Sequence, residues 1–525
     1  MATVDIDVLG GAAQLGTNVG GLSYWSNLRG LLDVFKSSGS WLTQEGGTWS
    51  TGEEHLLDLD ENGWVRSLPT PQDGVEYDVA SVLTGQFDPA HGDRYVVLYD
   101  GEGTLEYRFA ATKDEAASSP GRDVLDVTRT DKSLLVKITS TDPNDTGDYI
   151  RNIRIVPEAY ETTYETEIFN PTWIEKTDPF ESVRFMDLMS TNGSSLSEWS
   201  DRPQLDDYTF DHTGAPVELL VDFANRVDAD PWFTLPHEAT DEFVTNFAQY
   251  VKDNLDPDLD IYVEYSNEVW NSQFSQAQWV TQQANLEWPD STDSNFTQRM
   301  DWYSKRTTEV MQIWDDVFDT DKERVIGVMG AQAGNSWTGD RTLDYHWTDN
   351  PLSHEEYGID AITIAPYFGG YIGNRQHEAQ IESWLDDADG GLNKLFDELT
   401  HGGVLRDAPE GGALQQAFSR MDNYVEIADE HGLDLIAYEG GQHLAGTGGV
   451  QNNSGISDLF IAANRDPRMG QLYQEYFEGW YERDGGLFVH FNDVGTPSKW
   501  GSWGALEDIN QTSSPKYDAL MDLLG

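Results

Sequence analysis

The chain has no cysteine in its 525 residues. That absence removes disulfides, thiol nucleophiles and thiolate metal sites together, while leaving the redox compartment open. Long apolar runs are missing as well. None approaches the ~20 residues needed to span a bilayer, and the opening MATVDIDVLGG lacks the basic and apolar regions of a leader peptide. Basic residues are scarce, with 32 Lys and Arg against 93 Asp and Glu for a formal charge of −61. Such a surface repels nucleic acid and anionic membranes, and neither is expected as a partner. The 11 histidines show no HExxH or HxH spacing, so neither a catalytic metal nor a cofactor is expected.

What is present in quantity is acid and aromatic surface. The acidic residues are spread along the chain, not gathered into a tail. Self-repulsion of this size disfavours a compact state unless salt screens it, and the Debye length falls to about 3 Å at 1 M salt. Adaptation to high salt is the expected reading. The expected location is extracellular, with a leader already removed, or else the cytoplasm of a salt-accumulating cell. Hydrophobic residues make up 38%, with 18 Trp, 23 Tyr and 21 Phe, enough for a large core.

Eight short buried-strand patterns recur: AQLGTNVGG (13–21), ESVRFMDL (181–188), DPWFTLPH (230–237), IYVEYSNE (261–268), RVIGVMGAQ (324–332), IDAITIAPY (359–367), LDLIAYEGG (433–441) and GLFVHFND (486–493). Between them lie helical periodicities, including EFVTNFAQYVKDNL and QLYQEYFEGWYER. NLRGLLDVF is read the same way, with Leu28, Leu31, Leu32 and Phe35 at i, i+3, i+4, i+7. Alternation of this kind predicts an α/β fold, a (β/α)8 TIM barrel. A doubly wound sheet fits less well, because no glycine-rich phosphate loop follows any strand. Residues 41–164 break the alternation with strand-like pieces such as DRYVVLYD, TLEYRFA, SLLVKIT and NIRIVP, separated by the turns DGEG, SSPG and DPNDTGD. They predict an all-β module, carbohydrate-binding or structural, inserted between the first and second barrel units. The barrel then takes 1–40 and 165–525. DLDENG (58–63) mimics the start of a calcium loop, but its twelfth position is Pro69, so a hairpin turn is expected.

Two of the strands end in glutamate. In IYVEYSNE the last residue is Glu268, and counting by twos puts Ser266, Glu264 and Tyr262 on its face. In LIAYEGG, Glu439 follows a run of apolar residues and precedes glycines. Strand C-termini form the mouth where barrel enzymes act. Two carboxylates converging there suit glycosidic bond hydrolysis, in which one group stays protonated to donate and the other ionised to attack. Glu264 lies deeper and is expected to pair with an inward arginine such as Arg184. Asn18 closes the first strand and joins the supporting set. Trp25, Trp232 and Trp270 stand near strand ends as candidates to stack on sugar rings.

EYSNEVWN resembles the fourth-strand Asn-Glu motif of clan A glycoside hydrolases, the retaining (β/α)8 enzymes that include cellulases and mannanases. AYEGG resembles their seventh-strand nucleophile. The layout, early β insert included, is similar to bacterial proteins often labelled cellulose-binding. The resemblance implies that Glu268 is acid/base and Glu439 the nucleophile, with their carboxyls about 5–5.5 Å apart and Glu439 held ionised by Arg184. It also implies that Asn267 meets the substrate 2-hydroxyl, that Tyr367 orients Glu439, and that His237 contacts substrate. Trp500 or Trp503 would floor the site, although both lie several residues past the eighth strand. Ala365 stands where many clan A cellulases carry His. The expected activity is hydrolysis of a β-linked poly- or oligosaccharide, with β-glucan or β-mannan the guess. A non-catalytic carbohydrate-binding protein and a transglycosylase are the alternatives.

Overall fold

The computed structural model describes residues 13–69, 73–346 and 354–525. The opening MATVDIDVLGG lies outside them. Eight strands form a closed parallel barrel: β1 Leu15–Asn18, β2 Ser182–Arg184, β3 Asp230–Leu235, β4 Ile261–Tyr265, β5 Val325–Gly330, β6 Ala361–Ile364, β7 Asp434–Ala437 and β8 Phe488–His490. Closure is made by β8 beside β1, with Leu15 opposite Phe488 and Thr17 opposite His490. All eight expected strands are present, each shorter than its apolar run because the last residues of the run bend into the mouth.

Helices cover the outside. The one at Asp241–Asn254 is opened by Thr240, whose side chain accepts the Phe243 N–H, and it buries Phe243, Val244, Phe247, Ala248 and Val251 along one stripe. Each large apolar side chain fully buried this way contributes about 1.5–3 kcal/mol. QLYQEYFEGWYER falls within the helix Pro467–Tyr481 apart from its last two residues. No helix among the described residues is long and apolar enough to cross a membrane.

The interval after β1 forms two four-stranded antiparallel sheets. One runs in the order Leu42–Gln44, Val79–Gln86, Ser133–Thr141, Gly103–Phe109; the other runs Arg151–Pro157, Arg94–Asp100, Arg122–Val127, Ala111–Lys113. Their inner faces share a core of their own, which includes Val82, Tyr95, Val97, Val136, Ile138 and Ile155. DLDENG is a turn: the Asp60 carboxylate accepts the N–H groups of Asn62 and Trp64, and Gly63 sits at φ 81° between Asp58–Leu59 and Val65–Ser67.

The helix expected over NLRGLLDVF does not form. Only Val34–Ser37 is helical, as a short 3-10 turn. Leu28 and Leu31 are buried in the barrel core, whereas Phe35 is buried in the core of the β module. The apolar spacing therefore serves two cores and not one helix face. Arg29 at φ 46° breaks the helical path, and Gly30 passes so close to Trp173 that a Cβ would lie 2.8 Å from the ring.

Candidate active site

β4 ends at Tyr265, three residues short of Glu268. Ser266 (φ 63°) and Glu268 (φ 43°) both adopt left-handed backbone, unusual for residues with a Cβ and most often retained where function demands it. This turn breaks the strand's alternation. Asn267 and Glu268 are neighbours in sequence, yet the barrel's central arginine holds one and the side chains at the mouth hold the other. The count by twos from Glu268 therefore fails beyond Tyr265, although Tyr262 and Glu264 lie inside the barrel as expected.

Arg184, at the end of β2, has no exposed surface and organises the interior. Its Nε donates to Glu264 at 3.0 Å, and a terminal nitrogen lies 2.9 Å from the same carboxylate oxygen. One Nη donates to Asn18 at 3.0 Å and to Glu439 at 3.3 Å, and the other donates to Asn267 at 3.0 Å. Trp232 donates its indole N–H to Glu264 at 2.9 Å. Asn18 is held in turn by the carbonyls of Tyr438 and His490, at 3.0 and 3.4 Å.

One guanidinium thus faces two buried carboxylates, and Glu264 has the closer contact. Burial raises the Glu439 carboxyl to about 8 despite Arg184, and the nearby charges of Glu268, Asp187 and Glu264 push in the same direction. The expected pull of Arg184 is present, but burial acts against it and is the larger influence. A single positive charge, already engaged by Glu264, does not offset the loss of water around Glu439.

Glu268 sits across the mouth. The Tyr438 hydroxyl donates to its Oε1 at 2.7 Å and the Asn271 amide to its Oε2 at 2.9 Å. Tyr438 immediately precedes Glu439, so β7 supplies one carboxylate and the phenol that holds the other. Tyr367, beyond the end of β6, is half-buried, with its hydroxyl pKa raised well above 10. Burial is the main cause, followed by the charges of Glu439 and Glu268 and by a hydrogen bond to Glu439. A cavity of about 580 Å³ opens beside Glu268, lined also by Trp270, Tyr367, Tyr438, His443 and Arg420 among others. A larger cavity, about 870 Å³, lies between the β module and the barrel and is lined by none of the expected site residues.

No protein-family model matches the chain, and no curated protein matches it. Solved structures similar to it are glycoside hydrolases. A GH5 broad-specificity endoglucanase from Clostridium acetobutylicum is 10% identical with a TM-score of 0.37, covering 68% of this chain and 89% of its own. A GH5 xyloglucan-specific endo-β-1,4-glucanase from a metagenomic library is 12% identical with a TM-score of 0.37, covering 66% and 85%. A Bacteroides ovatus GH5 xyloglucanase is 7% identical with a TM-score of 0.37, covering 85% and 95%. At these values the likeness carries no weight for activity, and the barrel is established by its own strand order.

The other expected site residues divide. Asn267 is buried, its Nδ2 donating to Asn192 at 3.1 Å. Trp270 lines the cavity, with its ring 6.4 Å from that of Tyr438. Trp503 reaches the site although it lies 13 residues past β8. The loop folds back, tied by Gln442 to the Ser502 carbonyl at 2.8 Å, and sets the Trp503 ring 5.7 Å from Tyr367 and 4.9 Å from His443. Trp500 instead stands 61% exposed on the same loop.

Trp232 does not line the mouth as expected. It is fully buried inside the barrel, stacked at 5.1 Å on Tyr262, because it is level with Arg184 and serves Glu264. Trp25 is 59% exposed and packs edge-on against Tyr24, not at the carboxylates. His237 is buried against Trp279, and burial lowers its pKa to about 4. Its carbonyl accepts the Tyr265 hydroxyl at 2.6 Å, and its ring Nε2 lies 3.6 Å from the Glu238 carboxylate.

Tyr438, Asn192, His443 and Arg420 were not foreseen. Tyr438 was legible in principle, since a phenol directly before a strand-end glutamate has only the mouth or the barrel wall to face. The others come from loops and from a helix, where spacing along the chain carries no such signal.

Proposed function

We propose that the chain is a glycoside hydrolase cleaving β-linked poly- or oligosaccharide with retention, with Glu268 as acid/base and Glu439 as nucleophile. The observation that carries this reading is the pairing of two strand-end glutamates at one barrel mouth, cross-braced by Tyr438 and Arg184. Glu268 would give its proton to the glycosidic oxygen as the Glu439 carboxylate bonds to the anomeric carbon and the leaving sugar departs. Water, deprotonated by Glu268, would then displace Glu439 and restore both groups. The high proton affinity of Glu439 fits a site where the pair shares one proton at neutral pH. Sugar binding then has to place that proton on Glu268. Tyr367 supports Glu439, and Asn267 is the group offered to the substrate 2-hydroxyl.

The substrate class proposed is β-glucan or β-mannan, and the excess of acids supports a working environment of high salt, outside the cell or in a salt-accumulating cytoplasm. A polysaccharide panel at high salt, with product analysis, tests the reading. Reducing-end release abolished in Glu268→Gln and Glu439→Gln supports it. Sugar binding without turnover in the native chain favours a binding protein, and transfer to sugar acceptors in place of water favours a transglycosylase.

A further inference from the structure

Arg420 lies on the helix Gly412–His431 and lines the same cavity as Glu268. In a chain with nearly three acids for every base, it pairs with no carboxylate among the described residues. Among the described residues its one hydrogen bond runs from Nη1 to the Tyr367 carbonyl, at 3.4 Å. A guanidinium carries five N–H donors, so this one can also donate to a ligand in the cavity. Burial lowers its pKa, and the only opposing influence is the phenol of Tyr476. It remains cationic at neutral pH.

The surroundings leave room at this cation. Gly334, just past β5, places no side chain against it, and a Cβ there would lie 3.8–3.9 Å from the guanidinium. Gln332, Asn374, Gln416 and Thr447 line the same cavity, all neutral and all able to hydrogen-bond. The residue whose carbonyl Arg420 meets, Tyr367, has its ring 5.6 Å from that of His443, and all three line the cavity that Glu268 faces. An unpaired, partly desolvated arginine is costly unless something anionic completes it. A planar fork of donors matches a carboxylate or a sulfate.

We propose that Arg420 forms a subsite for an anionic sugar, recognising a uronate carboxylate or a sulfate ester on the residue next to the cleavage point. This rests on the glycosidase reading of the same mouth and replaces the neutral β-glucan or β-mannan given there with an acidic β-glycan. The opposing long-range field of the acidic surface acts over about 3 Å at 1 M salt, whereas a desolvated contact is screened much less.

The test is binding of methyl β-D-glucuronide, glucose 6-sulfate and methyl β-D-glucoside at pH 7 in 1 M NaCl, followed by ligand-observed NMR. The expected result is that one or both anions bind about tenfold or more tightly than the neutral glycoside. Preference for the glucuronide alone identifies a uronate site, and preference for the sulfate alone identifies a sulfate site. Arg420→Gln should reduce the anion-to-neutral ratio to about one. Gln416→Glu, which sets a carboxylate one helical turn from Arg420, should reduce it without removing the arginine. Equal binding of all three probes, or a ratio unchanged in both variants, overturns the proposal. Repeating the titration with Glu439→Gln, which cannot form a glycosyl-enzyme, separates the two readings. A retained ratio alongside an inactive native enzyme sinks the hydrolase reading alone; hydrolysis with no anion preference sinks the subsite alone.

Discussion

Glu439 is the residue on which the proposed chemistry turns. Its carboxyl is raised from 4.5 to about 8 in the fold, so between those values the folded chain holds a proton that the unfolded chain releases. Stability therefore falls as pH rises through this window, and Glu439→Gln, which cannot ionise, should melt higher than the native chain at pH 8.5. The difference should vanish near pH 4.5, as thermal melts across pH would show. Activity should follow the same proton, with kcat/KM declining above about pH 8 as the pair loses it. Arg184 makes the opposite case. Removing it leaves Glu264 and Glu439 buried without a counter-charge, and Arg184→Met should cost about 3–5 kcal/mol in chemical denaturation. Loss of less than about 1 kcal/mol would show that the carboxylates re-solvate or protonate freely.

The end of β4 is the element that carries Glu268, the proposed acid. Ser266 is buried in left-handed backbone, which glycine adopts without penalty and a β-branched residue does not. Ser266→Gly should leave stability within about 1 kcal/mol, whereas Ser266→Val should cost about 1–3 kcal/mol and reduce kcat by misplacing Asn267 and Glu268. Equal stability of the two variants would contradict this account of the turn. The strand itself was legible as IYVEY because β-branched and aromatic residues alternate there, and Glu268 stood out because Asn267 precedes it and a second strand run ends in Glu439. The turn was not legible, since nothing in Ser-Asn-Glu announces positive φ at two of three positions. The same limit misread NLRGLLDVF, whose helical spacing arises from a chain crossing between two cores. It also misplaced Trp232, because proximity to a strand's end in sequence does not say how deep a side chain sits.

At the scale of the whole molecule, the barrel could be read from eight apolar runs, and the inserted module from the density of its turns. The loops were read less well: Trp503 was named only through the family resemblance and His443 not at all, because both reach the mouth through long-range contacts that no local pattern encodes. The net charge of −61 leads to a further expectation. Raising NaCl from 0.1 to 2 M should increase the melting temperature and the activity together, because screening relieves repulsion among surface carboxylates. An optimum in dilute buffer would remove the salt-adaptation reading while leaving the site untouched.

The central claim is that Glu439 attacks and Glu268 donates. Its most direct measurement is azide rescue of Glu439→Ala on an activated β-glycoside of whichever sugar the panel identifies, with the anomeric configuration of the product read by NMR. The account predicts the inverted α-glycosyl azide, formed in the space the missing carboxylate leaves. The β-glycosyl azide from this variant would contradict it, because Glu439 would then be the acid/base and the roles of the two strands would be exchanged.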